Sequence, residues 1–327
     1  MNNNTICDLN DVRAYAHRVK DASKFYINRI NFSEQNEWQL VNSFLSHRTG
    51  GFFHVAGFKN GDHEELVLYQ PQGAFNGLLI KKANNTVYLL VHARVEPGNS
   101  GIVQFGPTIQ STPANYLRMH NGKPTPFLDY FFGVHGDGEL VYQSSQFDLG
   151  KRYYQKCKTL SYVEVNSVEP IDNMVWVSLN ILADLSLESH LVNTDLRSMI
   201  GVFDWDRFMG NETPESEVYG IDVHSKINRT GNLTGVNNLK NWETCDEGIL
   251  SKTNNGIEVR MYETSCLGRE VDSWSQPLIY TYSKGEVLLI TKVQSGVRYF
   301  AITHDYEFGI TGRAVLMPTH TRYPGSS

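Results

Sequence analysis

The chain has 327 residues, with 29 basic against 35 acidic side chains and a formal net charge of −6. Hydrophobic residues make up 40% and charged residues 20%, which is enough apolar material for a packed core and excludes a disordered or fibrous chain. The mild acidity argues against a nucleic-acid surface. No run reaches the roughly 18 consecutive apolar residues of a membrane helix. Met1 to Asn4 are polar with no apolar segment behind them, so no secretory leader is expected.

Cys7, Cys157, Cys245 and Cys266 stand far apart with no Cys-x-x-Cys pair, which predicts reduced thiols, no zinc site and a cytoplasmic protein. The Asn-x-Thr triplets at Asn228–Thr230 and Asn232–Thr234 are then chance matches.

In chain order, Ser33 as a cap and the spacing of Trp38, Val41, Phe44 and Leu45 predict a helix stopped by Gly50-Gly51. Short β-branched or aromatic runs follow at 51–58, 65–69, 77–82, 86–93 and 103–109, and Asn84-Asn85 reads as a hairpin turn. From Asn115 the pattern is helical or loop-like through Phe127–Phe132, and strands resume at 140–142 and 161–165. Helices are predicted from Ser178, with Leu179, Leu182, Leu185 and Leu187, and over about 193–208, with Leu196, Met199, Ile200, Phe203 and Phe208 inward. Strands first and helices after indicate an α+β domain over 1–208. Residues 209–256 are so rich in Asn, Gly, Ser and Thr that they read as a polar linker or long loop. Strand patterns return at 257–263, 286–293 and 297–304.

An internal repeat stands out. Gln70-Pro71 recurs as Gln276-Pro277, and Gly77-Leu-Leu-Ile-Lys as Gly285-Glu-Val-Leu-Leu-Ile-Thr-Lys. Glu96 matches Glu307, and Pro107-Thr108 matches Pro318-Thr319. Four matches in one order indicate duplication of a β-rich unit, the second copy (257–327) being incomplete relative to the first.

The densest polar constellation runs from residue 92 to 130. Alternation along a strand puts His92, Arg94 and Glu96 on one face, with Gln104, Thr108 and Gln110 on the next strand. That face can line a polar pocket, or it can be a solvated strand face with a cross-strand ion pair. Tyr116, Arg118 and His120 also alternate, and in an extended segment they share a side. Arginine offers a planar fork to a diphosphate, and His and Tyr move protons. The plainer reading is an aromatic tucked under a surface loop. No P-loop, dinucleotide fingerprint, nucleophile elbow or helical metal-ligand spacing is present, which argues against hydride transfer, kinase chemistry and metal-dependent hydrolysis.

The chain resembles the NDP-hexose 2,3-dehydratases of deoxysugar biosynthesis. The likeness runs through TGGFFHVAGF (49–58), YQP (69–71), GLLIKK (77–82), ARVEPGN (93–99), VQFGPTIQSTPANYLRMHNGKPTPFLDYF (103–131) and LVNTDLRSMIGVF (191–203). It continues in REVDSWSQP (269–277) and YEFG…PT (306–319). The resemblance implies a duplicated Nudix-like fold, a mixed β-sheet flanked by helices, in a homodimer. It also implies a dTDP-linked 4-keto-6-deoxyhexose as substrate and no redox cofactor. The glutamate box of Nudix hydrolases is missing, so metal-dependent pyrophosphate cleavage is not implied. One motif differs: the family's Gln-Ser-Glu-Gln reads Gln143-Ser144-Ser145-Gln146 here.

In a 4-keto sugar the carbonyl acidifies the C3 proton and the C2 hydroxyl is β to it. Loss of both gives an enol that tautomerises to a 3,4-diketo-2,6-dideoxy sugar. Such a carbon–oxygen lyase needs a base, an acid and an oxyanion donor. On the matched motif, His120, Tyr116 and Glu96 are the candidates for proton transfer. Arg118 is the candidate for the enolate or the diphosphate, and Gln104, Gln110, Asn115, Arg94 and Thr112 for sugar and substrate contacts. The alternatives are a nucleotide-sugar-binding homologue without catalysis, and another elimination or isomerisation on an activated small molecule.

Overall fold

The computed structural model describes residues 5–6, 8–119, 121–133, 135–148, 150, 152–212, 231–253, 256–306, 310 and 314–324. The chain opens with β1 (Thr5–Ile6), helix α1 (Leu9–Ser23) and β2 (Tyr26–Ile30). Asp8 caps α1 by accepting from the Asn10 and Asp11 amides, and Lys24 ends it in the left-handed region. The helix expected over 33–45 is instead a hairpin, β3 (Trp38–Val41) and β4 (Phe44–His47), after a 3₁₀ turn at Phe32–Glu34. Asn42 and Ser43 both take positive φ, the two-residue turn that matches strand twist. Trp38 and Leu45 are buried in the hairpin as they would have been on a helix, which is why periodicity alone misled.

Two hairpins follow, β5 (His54–Asn60) with β6 (His63–Tyr69) and β7 (Ala74–Ala83) with β8 (Thr86–Val95), and then two short strands, β9 (Val103–Gly106) and β10 (Ile109–Ser111). Pro107, with no N–H to donate, separates the last two. One-turn helices α2 (Pro113–Tyr116) and α3 (Leu128–Phe131) lead to β11 (Gly138–Phe147), β12 (Tyr153–Tyr154), β13 (Cys157–Val165) and β14 (Met174–Ser178). Ser178 caps α4 (Leu179–Ser186). The helix expected to 208 is two, α5 (Thr194–Val202) and α6 (Trp205–Phe208), divided by extended backbone at Phe203.

Residues 232–251, inside the stretch read as a polar linker, form strands: β15 (Asn232–Thr234), β16 (Trp242–Cys245) and β17 (Gly248–Ser251). Val236, Leu239, Trp242 and Ile249 carry their burial. These few apolar side chains suffice because they close on a partner sheet, which composition does not register. Within that stretch, residues 213–230 and 254–255 lie outside the described residues. Then come β18 (Ile257–Ser265), β19 (Ser273–Thr281), β20 (Glu286–Leu288), β21 (Ile290–Gln294), β22 (Val297–Asp305), β23 (Val315–Pro318) and β24 (His320–Arg322).

Strands outweigh helices in mixed sheets. The largest runs β1-β14-β8-β7-β13-β11, with β9 and β10 paired to β8 and β7. Helices α1, α4 and α5 cover one face through Val12, Leu182 and Leu196, and α3 covers the other through Phe131. A second sheet, β12-β6-β5-β4-β3, packs on a third, β16-β17-β18-β19, around Trp38, Val55, Leu66, Trp242, Val259 and Met261.

Two halves, the chain up to residue 212 and the chain from 231 on, exchange strands. β2 pairs with β18, Ile30 opposite Met261, while β15 pairs with β5, Thr234 opposite Gly57. Pairing also recurs further on. The Leu79 amide donates to Thr108 Oγ1 (3.0 Å), which donates to the Leu90 carbonyl (2.5 Å). In the second half the Ile290 amide donates to Thr319 Oγ1 (2.9 Å), and that hydroxyl donates to the Ala301 carbonyl. Arg94 opposite Gln104 becomes Asp305 opposite Val315, and Gln110 opposite Asn76 becomes Thr321 opposite Val287. One turn differs: Cys266–Asp272, between β18 and β19, is longer than its counterpart at Gly61–Asp62.

Candidate functional site

A cavity of about 580 Å³ opens between the halves, within the range of small-molecule sites. Its floor is set by the ends of β7, β8 and β10. Asn76 and Gln110 stand opposite each other there. Asn76 is fully buried, and neither its Oδ1 nor its Nδ2 has a protein partner. Gln110 Oε1 accepts from Asn193 Nδ2 (2.8 Å), and Asn193 Oδ1 caps α5. Gly106 makes this packing possible, since a Cβ there would lie 2.8 Å from both Arg94 Cδ and Asn193 Nδ2.

Arg94 and Glu96 share a face two residues apart, as alternation predicts. Arg94 is buried, and its Nε donates to Oε1 of the half-buried Glu96 at 2.9 Å. The long turn of the second half then enters the same cavity. Arg269 Nη1 lies 3.8 Å from Glu96 Oε1 and donates to the Val95 carbonyl at 3.3 Å, and its Nε is 3.3 Å from Glu270 Oε2. Burial alone would raise the Glu270 carboxyl, but Arg269 and Arg94 outweigh it and hold it at about 2. Burial, with Arg94 and Arg269 beside it, drives neighbouring His92 down to about 3. The imidazole is neutral throughout the physiological range.

A second charged group also lines the cavity. Lys158 bridges Asp195 (2.7 Å) and Asp148 (3.3 Å). Two residues earlier, Lys156 is buried and donates to Gln70 Oε1 at 2.8 Å, with its ammonium 3.9 Å from the centre of the Tyr153 ring. Burial pushes Lys156 down to about 8, helped by Lys158 and Arg152 and opposed by Asp148 and Asp195. Trp38, His47, Phe52, Phe53 and Trp274 add aromatic rings to the lining, with Trp38 packed on Phe53 (4.9 Å between ring centres) and His47 on Phe52 (4.6 Å). Arg48 and Arg152 stand exposed on the lining.

Of the residues singled out from sequence, Glu96, Arg94, Gln110, Asn115 and Thr112 line this cavity. Gln104 pairs opposite Arg94 but is not in the lining. Tyr116 packs against Phe132 (6.0 Å between ring centres), away from the lining. Arg118 is exposed and donates to the Gly122 carbonyl (3.1 Å). His120 lies outside the described residues. Sequence reasoning missed Gln70, Asn76, Lys156, Lys158, Asp195, Trp274 and the Arg269–Glu270 pair. The signal for the last was the extra length between the two matched strands of the second half. Ser145, where the family's motif has a carboxylate, is exposed on β11 and is not in the lining. Among the described residues, no group of three or more His, Cys, Asp or Glu is placed to hold a metal ion. No helix of the described residues is long and apolar enough to cross a membrane.

Three curated relatives align over most of the chain. Proteins of Saccharopolyspora spinosa, Amycolatopsis orientalis and Streptomyces violaceoruber, each named dTDP-4-dehydro-6-deoxy-alpha-D-glucopyranose 2,3-dehydratase, are 27%, 25% and 26% identical. The alignments cover 91%, 94% and 93% of this chain and 68%, 69% and 74% of those proteins. A solved structure titled as that of an ADP compounds hydrolase aligns with 58% of this chain and 97% of its own, at 10% identity and a TM-score of 0.31, too weak a likeness to set the fold. The model of the NDP-hexose 2,3-dehydratase family matches residues 9–203 and 223–325. The chain belongs to that family.

Proposed function

We propose that this chain removes water across C2 and C3 of a dTDP-linked 4-keto-6-deoxyhexose, giving a 3,4-diketo-2,6-dideoxy sugar. The observation that carries the reading is the family match over both halves, and the cavity those halves enclose is suited to such a ligand. The aromatic rings of the lining offer stacking surface for a base. Arg48 and Arg152 offer charge-assisted hydrogen bonds to a diphosphate. The polar floor of Asn76, Gln110, Arg94 and the Arg269–Glu96 pair meets the sugar. There the paired guanidiniums face the charge that develops on O4 as the C3 proton leaves. Asn115 and Thr112 contribute further polar contacts at the rim.

The recurring register supports duplication of one Nudix-like unit, with the pairings of β2 with β18 and of β15 with β5 tying the copies together. The exposed apolar strands of the second half support a homodimer, and a nucleotide-sugar substrate suits the cytoplasm. A binding homologue without catalysis is the weaker reading, because the carboxylate missing at Ser145 would not have stood in the cavity.

The test is incubation of purified protein with dTDP-4-keto-6-deoxyglucose, a 3-ketoreductase and NADPH. A 2-deoxy product is expected. Its absence at high enzyme, with dTDP still bound in calorimetry, would replace the lyase with a binding protein.

A further inference from the structure

We infer that Lys156 is the proton-transfer group of this site, its ε-amine taking the proton from the carbon next to the ketone and passing it to the departing hydroxyl. The inference rests on the lyase reading above. It begins from an asymmetry between two lysines on one wall. Lys158 holds both nearby carboxylates, Asp148 and Asp195. Lys156, buried at 6% exposure, has only the Gln70 amide oxygen and the Tyr153 ring. Among the described residues no carboxylate lies within ion-pair distance of its Nζ. An ammonium buried without a counter-ion is penalised, and the charged groups facing it divide in sign: Arg152 and Lys158 against Asp148 and Asp195. The outcome is a lysine titrating near 8, so that both its forms are populated near neutral pH, as a general base requires. The other ionisable groups of the wall lack this balance. Glu96 is bound by two guanidiniums, and Glu270 is held far below neutrality.

The step balances without a co-reactant. Neutral Lys156 accepts the C3 proton, and the C3–H electron pair becomes the enolate of C3 and C4 with charge on O4. Collapse of the enolate restores the C4 carbonyl, forms the C2–C3 double bond and breaks the bond to the C2 oxygen. The ammonium returns its proton to that oxygen, and water leaves. The enol at C3 then tautomerises to the ketone.

Three variants and one labelling experiment test this on the full chain. Lys156→Ala should lower turnover by roughly 100-fold or more, with dTDP affinity within about threefold. Added primary alkylamines should restore part of it, with rates that follow amine basicity. Lys156→Arg, which keeps the charge but does not release a proton, should be as inactive as Lys156→Met and show no exchange of the substrate C3 proton with solvent deuterium. Turnover within threefold of wild type in Lys156→Ala, or a loss that no amine relieves, overturns the assignment. The labelling is independent of turnover. Acetylation by acetic anhydride, read by mass spectrometry across pH, should show Lys156 titrating near 8 and shielded by dTDP. A Lys156 that titrates like a surface lysine, above pH 10, overturns the proposal even in an active enzyme. If the labelling holds but wild type leaves the dTDP sugar unchanged, the lyase reading fails and the proton-transfer role falls with it, whereas an active wild type with an unimpaired Lys156→Ala overturns the lysine assignment alone.

Discussion

The β7–β8 and β21–β22 strand pairs share pairing register and even the threonine that bridges neighbouring strands, yet one lies in a core and the other at a surface. Leu78, Leu79, Ile80 and Leu89 of β7 and β8 are fully buried, because β13 and β14 extend the sheet and helices cover its face. Their counterparts on β21 and β22, such as Ile290 at 62% and Phe300 at 54% exposure, stand open among the described residues. Chemistry follows the same divide. Asn76, Arg94 and Gln110 of the first half correspond to Val287, Asp305 and Thr321 of the second, so the polar floor is built once. The second half contributes instead through the turn that differs, Cys266–Asp272, which carries Arg269 and Glu270 into the other half's cavity. A shared backbone pattern thus fixes where side chains point, and the side chains make the halves differ, one carrying the polar floor and the other a charged turn.

The largest effect should come from treating the two sheets alike. Leu79→Ala should cost about 2–5 kcal/mol in urea unfolding at any protein concentration, the usual range for truncating a buried leucine. The equivalent position, Ile290→Lys, should leave that core intact and instead abolish association, since an open apolar strand with a free edge is normally covered. Light scattering should give a dimer for wild type at tens of micromolar and a monomer for Ile290→Lys. A wild-type monomer whose β21–β22 hairpin is cut readily by protease would break the comparison at its first step.

Next is the contribution of the long turn. Arg269→Ala should lower kcat/KM by about 10- to 100-fold, the scale of one lost charge-assisted contact in a site. Arg118→Ala, exposed and outside the lining, should retain wild-type affinity and turnover. Equal losses in both variants would restore Arg118 to the site and remove the interface between halves from the mechanism.

How far the sequence reached can be judged on particular residues. The hairpins at 54–69 and 74–95 were legible because alternation and turn residues agree. Arg94, Glu96 and Gln110 were legible as a constellation because strand parity is local information. The β3–β4 hairpin was not, because Trp38, Val41, Phe44 and Leu45 satisfy a helical spacing as well as a strand one. Nor were the strands at 232–251, whose few apolar residues are buried by a partner sheet far away in sequence. The same holds for the site. Lys156, Asp195 and Trp274 reach the cavity only through pairing of β13 with β7, the docking of α5 and the closure of the second half, none of which leaves a local pattern.

Importing a residue from the second half sharpens the comparison further. Asn76→Val gives the floor the side chain found at Val287. Because both polar atoms of Asn76 are buried without a protein partner, replacing them with methyl groups should leave thermal stability equal or slightly higher. Turnover should fall about 10-fold or more, since the amide is then reserved for the ligand. A destabilised variant with full turnover would show Asn76 to be scaffold.

The smallest effect expected is on the acid limb of stability, and it too is read by exchange between halves. His92 corresponds to Thr303. In the folded chain, burial and the guanidiniums of Arg94 and Arg269 hold His92 near 3 instead of the ordinary 6.5. Between those values the unfolded chain binds a proton that the folded chain refuses, so stability is present above pH 6.5 and drains away as pH falls towards 3. Glu270, held at about 2 against an ordinary 4.5 by Arg269 and Arg94 over the opposing effect of burial, adds a second window, lost between pH 4.5 and 2. Thr at position 92 removes the first window and leaves the second. Urea unfolding followed from pH 7 to 4 should therefore be flatter for His92→Thr than for wild type, and the midpoint of acid unfolding should move down by less than about one pH unit. Glu270→Gln should change only the lower part of the curve. Identical slopes from pH 7 to 5 in wild type and His92→Thr would mean that His92 takes up its proton in the folded chain, and that the arginine pair does not control the charge of the cavity wall.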